Sequence, residues 1–178
     1  MRAPALCAAT PPPPTLRPLD STPETLSALQ HVLEAAPSYF ETVTGGPPGP
    51  TEAHSVVTDL PPGRTYDDKV VFGLYDGERM IGCADVVRGW NAPDKAIIGL
   101  LLVAEDRQRR GFGRAFAALV EQAIAHWPEI ATVRIGVIRT NAGALAFWRK
   151  QGYRETGERK HNPEFVAPIV VLEKALPR

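Results

Sequence analysis

GLLLVAEDRQRRGFGRAFAA, residues 99–118, is the stretch from which the fold can be read. An apolar run over 97–103 breaks into a polar, basic turn. That turn opens a helix on which Phe112, Phe116, Leu119 and Ala123 recur at helical spacing. At the junction stand Gln108-Arg109-Arg110-Gly111-Phe112-Gly113. The glycines let backbone approach a ligand closely, and the first N–H groups of a helix have no partner of their own. The positive end of the helix dipole, together with Arg109, Arg110 and Arg114, favours a multiply charged anion such as a pyrophosphate. The segment is no nucleotide P-loop, because no Lys-Ser/Thr follows the second glycine. A dinucleotide-binding turn would need a third glycine where Phe116 stands. Taken alone, the segment also fits a basic helix start beside a solvated loop.

Working outward, the elements on either side form an ordered series. Strands are expected over 69–75 and 79–88, joined by the tight turn Asp76-Gly77-Glu78, and a third over 96–103 follows the turn at Asn91-Ala92-Pro93-Asp94. Gly99 inside that third strand signals a bulge or a close backbone approach. The helix over 111–127 ends before Pro128, and 132–137 reads as a strand parallel to 96–103, which makes a β-α-β crossover of the normally right-handed kind. Further along, Asn141 caps a helix running to Gln151, with Gly152 as its left-handed stop, and strands follow over 153–160 and 167–174.

The N-terminal part is less regular. Residues 1–14 are a proline-rich lead, expected to be disordered, and 15–178 form the folded domain, opening with a strand over 15–19. Thr22-Pro23-Glu24 starts a helix carrying Leu26, Leu29, Val32 and Leu33, which Pro37 ends. Tyr39 and Phe40 precede the stiff loop Gly45-Gly46-Pro47-Pro48-Gly49-Pro50, which either lines a substrate pocket or is a packed surface connection. A short helix then begins at Thr51-Glu52, with His54, Val56, Val57 and Leu60.

Composition narrows the classes. A length of 178 residues suits one domain with a proper core. The formal net charge of zero supplies no global field to recruit nucleic acid or an anionic membrane. Two cysteines, Cys7 and Cys83, make no disulfide framework, so a reducing cytoplasm is the expected setting. No apolar run reaches spanning length, and Pro11-Pro12-Pro13-Pro14 after a short alanine-rich start argues against a signal peptide. No metal-ligand cluster and no Ser-His-Asp spacing stands out.

Two motifs in order, Gln108-x-x-Gly111-x-Gly113 and Asn141-x-x-Ala144-x-x-Phe147-Trp148-x-x-x-Gly152-Tyr153, resemble those of the GNAT N-acetyltransferase superfamily over about residues 15–176. The resemblance implies an α/β (α+β) fold: a mixed, mostly antiparallel sheet of six or seven strands flanked by helices and splayed between the fourth and fifth strands. It implies acetyl-coenzyme A as cofactor and a small-molecule amine as acceptor, and leaves room for a homodimer. The backbone of Leu101, Leu102 and Val103 would meet the pantetheine arm, Gln108 to Arg114 the pyrophosphate, and Asn141, Phe147 and Trp148 the thiol end. Asn141 is also explained as a plain helix cap.

One departure stands out. Many members carry, where this chain has Trp148, a tyrosine that protonates the departing thiolate, and an indole N–H is no useful acid near neutral pH. Tyr153, five residues on, reads as core. Asp85 lies mid-strand in Ile81-Gly82-Cys83-Ala84-Asp85-Val86-Val87, on the face of Ile81, Cys83 and Val87, where an ionised carboxylate is costly unless paired or functional. It is the candidate for anchoring the ammonium or taking its proton, the plain alternative being a paired or edge aspartate. Tyr39, Phe40 and Trp90 are candidates for the substrate pocket, with His54 a weaker one. The reading is thus direct transfer of acetyl to a primary amine. A non-catalytic acyl-coenzyme A sensor and a protein acetyltransferase are the alternatives.

Overall fold

The computed structural model describes residues 13–177. Residues 1–12 of the proline-rich lead, Cys7 included, lie outside them. Seven strands form one sheet in the order β1-β2-β3-β4-β5-β7-β6. These are β1 (Thr15–Pro18), β2 (Lys69–Asp76), β3 (Arg79–Arg88), β4 (Lys95–Val103), β5 (Thr132–Ile138), β6 (Arg154–Lys160) and β7 (Ile169–Ala175). Only β4 and β5 run parallel, and α4 (Phe112–Ile124) connects them, as the crossover spacing requires. α5 (Ala142–Lys150) follows β5.

Two apolar layers sandwich the sheet. Phe116, Val120 and Ile124 of α4 and Leu145 and Trp148 of α5 pack with Ala84, Val86, Ile98, Ile135 and Leu172 on one face. On the other face α1 (Pro23–Glu34), α2 (Pro37–Val43) and α3 (Glu52–Thr58) bring Leu29, Leu33, Phe40 and Ala53 against Cys83 and Leu102. Phe116, Leu29, Leu33 and Leu172 lose all their exposure; burials of that size stabilise by about 1.5–3 kcal/mol each. Among the described residues no helix is long and apolar enough to cross a membrane.

Two details differ from the sequence reading. Pro37 does follow the first helix, but it also stands at the first position of α2, where its missing N–H costs nothing. Tyr39 and Phe40 are therefore helical. On β3 the register with β2 steps from Leu74↔Gly82 to Tyr75↔Met80, leaving Ile81 as an extra residue. That bulge puts Ile81 with the α4 side of the core while Cys83 packs toward α1, so Asp85 does not share a face with Ile81.

The α4 layer can close on the sheet because β3 has no side chain at Gly82. A methyl there would stand 2.7 Å from the Leu102 carbonyl oxygen and 3.2 Å from the Phe116 ring. Gly82→Ala is expected to destabilise the protein by about 1–3 kcal/mol, as overpacking does. Urea unfolding measures this; an unmoved midpoint would show that β4 and α4 can retreat freely.

Candidate active site

The chain leaves β4 through a short 3-10 turn (Glu105–Arg107). Gln108 then donates its side-chain N–H to the Val103 carbonyl at 2.8 Å, tying the loop back to the strand. Arg109 and Gly111 both take left-handed backbone conformations, with φ of 61° and 88°. The first helical bond runs from Ala115 N to Gly111 O, so the N–H groups of Phe112, Gly113 and Arg114 have no protein acceptor among the described residues. Arg107 is consumed by Asp76 and Asp106. Arg109, Arg110 and Arg114 are exposed, and no ion pair among the described residues involves them. A methyl built on Gly113 would lie 3.6 Å from Phe147, in ordinary contact, whereas Gly111 is demanded by its φ alone. Free N–H groups, three uncommitted guanidiniums and an unobstructed glycine fit a pyrophosphate.

Beside this loop the sheet comes apart. β4 pairs with β5 only from Lys95↔Thr132 to Ile98↔Ile135. Gly99 is an extra residue in the β3–β4 register, a bulge at the point where pairing ends. A cavity of about 380 Å³ occupies the gap. Asn141, the cap of α5, lines it together with Ala144 and Trp148 of that helix, and so do Tyr39, Trp90 and Phe165. Asn141 lines it while its Oδ1 accepts from Ala144 N at 3.0 Å, so it also caps α5. Trp148 is buried edge-on between Phe147 and Tyr153, at ring separations of 5.1 and 4.9 Å. The Tyr153 hydroxyl is buried without a hydrogen-bond partner, and burial raises its pKa well above the phenol range. Burial likewise pushes the Tyr39 phenol up to about 12.

Of the other residues singled out in the sequence, Leu101 lines the cavity, whereas Leu102 packs toward α1. Phe40 is sealed in that same core and lines no part of the cavity. His54 is exposed and hydrogen-bonds the Thr58 hydroxyl. The stiff loop is a packed connection, its Gly49 carbonyl accepting from Gln30 at 2.9 Å.

Asp85 is paired. Its Oδ1 accepts from Lys69 Nζ at 2.7 Å, and the lysine side chain is only 4% exposed. The other oxygen faces Gly99, where a methyl would stand 3.4 Å away. Burial raises the Asp85 pKa above the ordinary carboxylate value; the Lys69 ammonium opposes the rise and Asp59 adds to it.

Two cations absent from the sequence reading also line the cavity, Arg134 and Lys160. Arg134 alternates with buried Val133 and Ile135 on β5, so a charge within an apolar strand was the available signal. It is held by Glu173 at 2.8 Å and by Glu158.

A mixed sheet split beside its one parallel pair, with an anion cradle at the adjoining helix start, is the framework of an acyl-coenzyme A-dependent N-acyltransferase. Residues 29–153 match the acetyltransferase (GNAT) family, and the chain belongs to it, with acetyl-coenzyme A as the family's acyl donor. Among solved structures, an acetyltransferase from Thermus thermophilus is 24% identical, with a TM-score of 0.69 over 91% of this chain and 97% of that one. The ribosomal-protein-S18-alanine N-acetyltransferase from Escherichia coli is 17% identical, with a TM-score of 0.67 over 93% and 95%. The aminoglycoside acetyltransferase AAC(6')-Ib in complex with coenzyme A is 18% identical, with a TM-score of 0.70 over 92% and 95%. No curated protein matches the chain significantly.

The Asp85–Lys69 pair makes its own prediction. Asp85→Asn leaves a buried ammonium uncompensated and should cost about 3 kcal/mol, the scale for breaking a buried pair. Adding Lys69→Met should recover most of that in a denaturant titration. A double variant no more stable than the single would show that the ammonium was never the problem.

Proposed function

We propose that this chain transfers the acetyl group of acetyl-coenzyme A directly to a primary amine of a small molecule. The carrying observation is the cavity in the split sheet, lined by Asn141, Ala144 and Trp148 on the α5 side and also by Tyr39, Trp90 and Phe165. The loop between β6 and β7 roofs that pocket. Its Val166 N–H donates to the Val43 carbonyl at 3.0 Å, and Ala167 packs with Val43 and Ile138. A roofed pocket favours a small acceptor over a peptide laid in a groove. The buried free thiol of Cys83, pushed up to about 12 by desolvation, suits a reducing cytoplasm.

Bound acetyl-coenzyme A supplies a thioester carbon: the amine nitrogen bonds to it, the carbon–sulfur bond breaks, and one proton leaves the nitrogen as the thiolate is released. The chain's own residues have four tasks. Phe112, Gly113 and Arg114 offer N–H groups, and Arg109, Arg110 and Arg114 offer charge, to the pyrophosphate. The edge of β4 from Gly99 to Leu101 lacks a strand partner on the β5 side and offers its N–H groups to the pantetheine arm and the developing oxyanion. Asn141, Phe147 and Trp148 shape the thiol end. Neither Trp148 nor the buried Tyr153 serves as an acid near neutral pH, so the thiolate takes its proton from water. Asp85 receives the amine proton through water, past the side-chain-free face of Gly99.

Gly113→Val should abolish measurable coenzyme A binding in calorimetry while the melting curve stays near that of the parent, since a Cβ at that position meets Phe147 only in ordinary contact. Undiminished binding would remove the loop from the cofactor site. Gly111→Val is the poorer probe, because it strains the backbone at a φ of 88°.

The proton role is read in the Asp85→Asn/Lys69→Met double variant, where the pair is removed as a whole and stability is recovered. Its turnover should fall by roughly two to four orders of magnitude from the parent's, the scale of general-base assistance. In the parent, the carboxylate works only when ionised. Because burial raises its pKa, turnover should begin to fall on acidification at a higher pH than an ordinary aspartate would give. Full turnover in the double variant would pass the proton to bulk water.

A further inference from the structure

We infer that the acceptor is a zwitterionic amine of the amino-acid type, its carboxylate held at Lys160 and its apolar body against Trp90 and Phe165, and is not a polycation. The inference rests on reading the pocket at Tyr39, Trp90 and Phe165 as the acceptor end. Its basis is the charge of the wall: among the described residues, the ionisable cavity-lining ones that carry charge near neutral pH are Arg134 and Lys160, and no aspartate or glutamate lines the cavity. A site built for several ammonium groups needs carboxylates in its wall, since like charges at contact distance repel.

The two cations differ in availability. Arg134 is 7% exposed, with both terminal nitrogens committed to Glu173 and Glu158. Glu173 is shared further with Lys95 Nζ at 2.6 Å. Lys160 is half-buried and only 3.7 Å from its nearest carboxylate oxygen, on Glu158, beyond hydrogen-bonding distance. Its ammonium sits 5.1 Å from the centre of the Trp90 ring. Lys95, Arg134 and Lys160 thus share two carboxylates, Glu158 and Glu173, and the uncompensated positive charge falls at the lysine facing the cavity. Asp85 offers no counterweight, being bound to Lys69. An anion fits this place; an ammonium does not. The remaining wall, Tyr39, Ile97, Ile138 and Phe165 among it, is apolar in its larger part and suits a hydrocarbon or aromatic body.

Matched pairs that differ only by a carboxylate test this. L-phenylalanine against 2-phenylethylamine, and L-leucine against 3-methylbutylamine, are titrated by calorimetry into protein saturated with coenzyme A, with spermidine and kanamycin as polycationic probes. Each amino acid should bind roughly tenfold or more tighter than its decarboxylated partner, the worth of one charge-assisted contact, and both polycations more weakly still. Lys160→Gln should bring the members of a pair within about threefold of each other, and Lys160→Arg should keep them apart. Equal binding within the pairs, no amino-acid binding, polycations as the best ligands, or a ratio unmoved in Lys160→Gln would each overturn the inference. Release of coenzyme A thiol from acetyl-coenzyme A, followed with the same amines, separates the two readings. Amino acids bound selectively but never acetylated would sink the transferase reading and leave the acceptor site standing. Acetylation of spermidine as fast as of L-phenylalanine would do the reverse.

Discussion

The structure depends on a strand pairing that stops early. β4 and β5 are held together over four residues on each side, from Lys95 to Ile98 and from Thr132 to Ile135. Beyond that, each strand keeps its outer partner: β4 stays with β3 up to Leu102 and Val103, and β5 with β7 out to Ile138↔Ile169. The split therefore forgoes only the few hydrogen bonds that would have crossed it. The two edges it creates lie inside the molecule, walled by α5 and the β6–β7 loop, so they avoid the aggregation hazard of a free edge. The Gly99 bulge makes this geometry by adding one residue to β4 where it must turn away from β5.

A split sheet can hold a defined shape only if its halves are anchored elsewhere. α4 does much of this. It crosses from one half to the other with Phe116, Val120 and Ile124 wholly buried, and its first turn carries the anion cradle. The cradle is thus fixed by core packing rather than by loop stiffness, which is how a binding site keeps its geometry without ligand. Gln108, expected on sequence grounds to help hold the pyrophosphate, ties the loop to the Val103 carbonyl. Its amide orders the turn whose backbone N–H groups then face outward.

Much of this was legible in the chain because local signals agreed with one another. The crossover, the left-handed stop at Gly152, the cap at Asn141 and the bulge at Gly99 each follow from residue types whose backbone demands are nearly unique. What could not be read depended on partners distant in sequence. Asp85 is visible as a misplaced charge, but nothing near it in the chain names Lys69 as its partner, sixteen residues away on the neighbouring strand. Arg134 likewise meets Glu173 only through the β5–β7 register. The Ile81 bulge reverses the face of a hydrophobic residue among hydrophobic neighbours, a change that leaves no mark on an apolar pattern. Phe40 reads as a pocket residue only while α2 goes unseen; once Pro37 opens a helix, Tyr39 and Phe40 diverge, one toward the cavity and the other into the core.

The two ends of the cavity handle charge by different physics. At the cradle, three exposed guanidiniums, outside any ion pair among the described residues, act in high dielectric, where each contact is individually weak and screened. Affinity there must come from number and from the oriented N–H groups of the helix start. At the acceptor end, the charges are less exposed and largely committed to one another, so the net field that remains is small and acts at short range. Such a place is poor at gathering ligands from a distance and good at rejecting a wrong charge at contact, and discrimination at contact is what an acceptor pocket requires. A chain of zero formal charge can accommodate both ends, because each uses a local arrangement and neither relies on the net field.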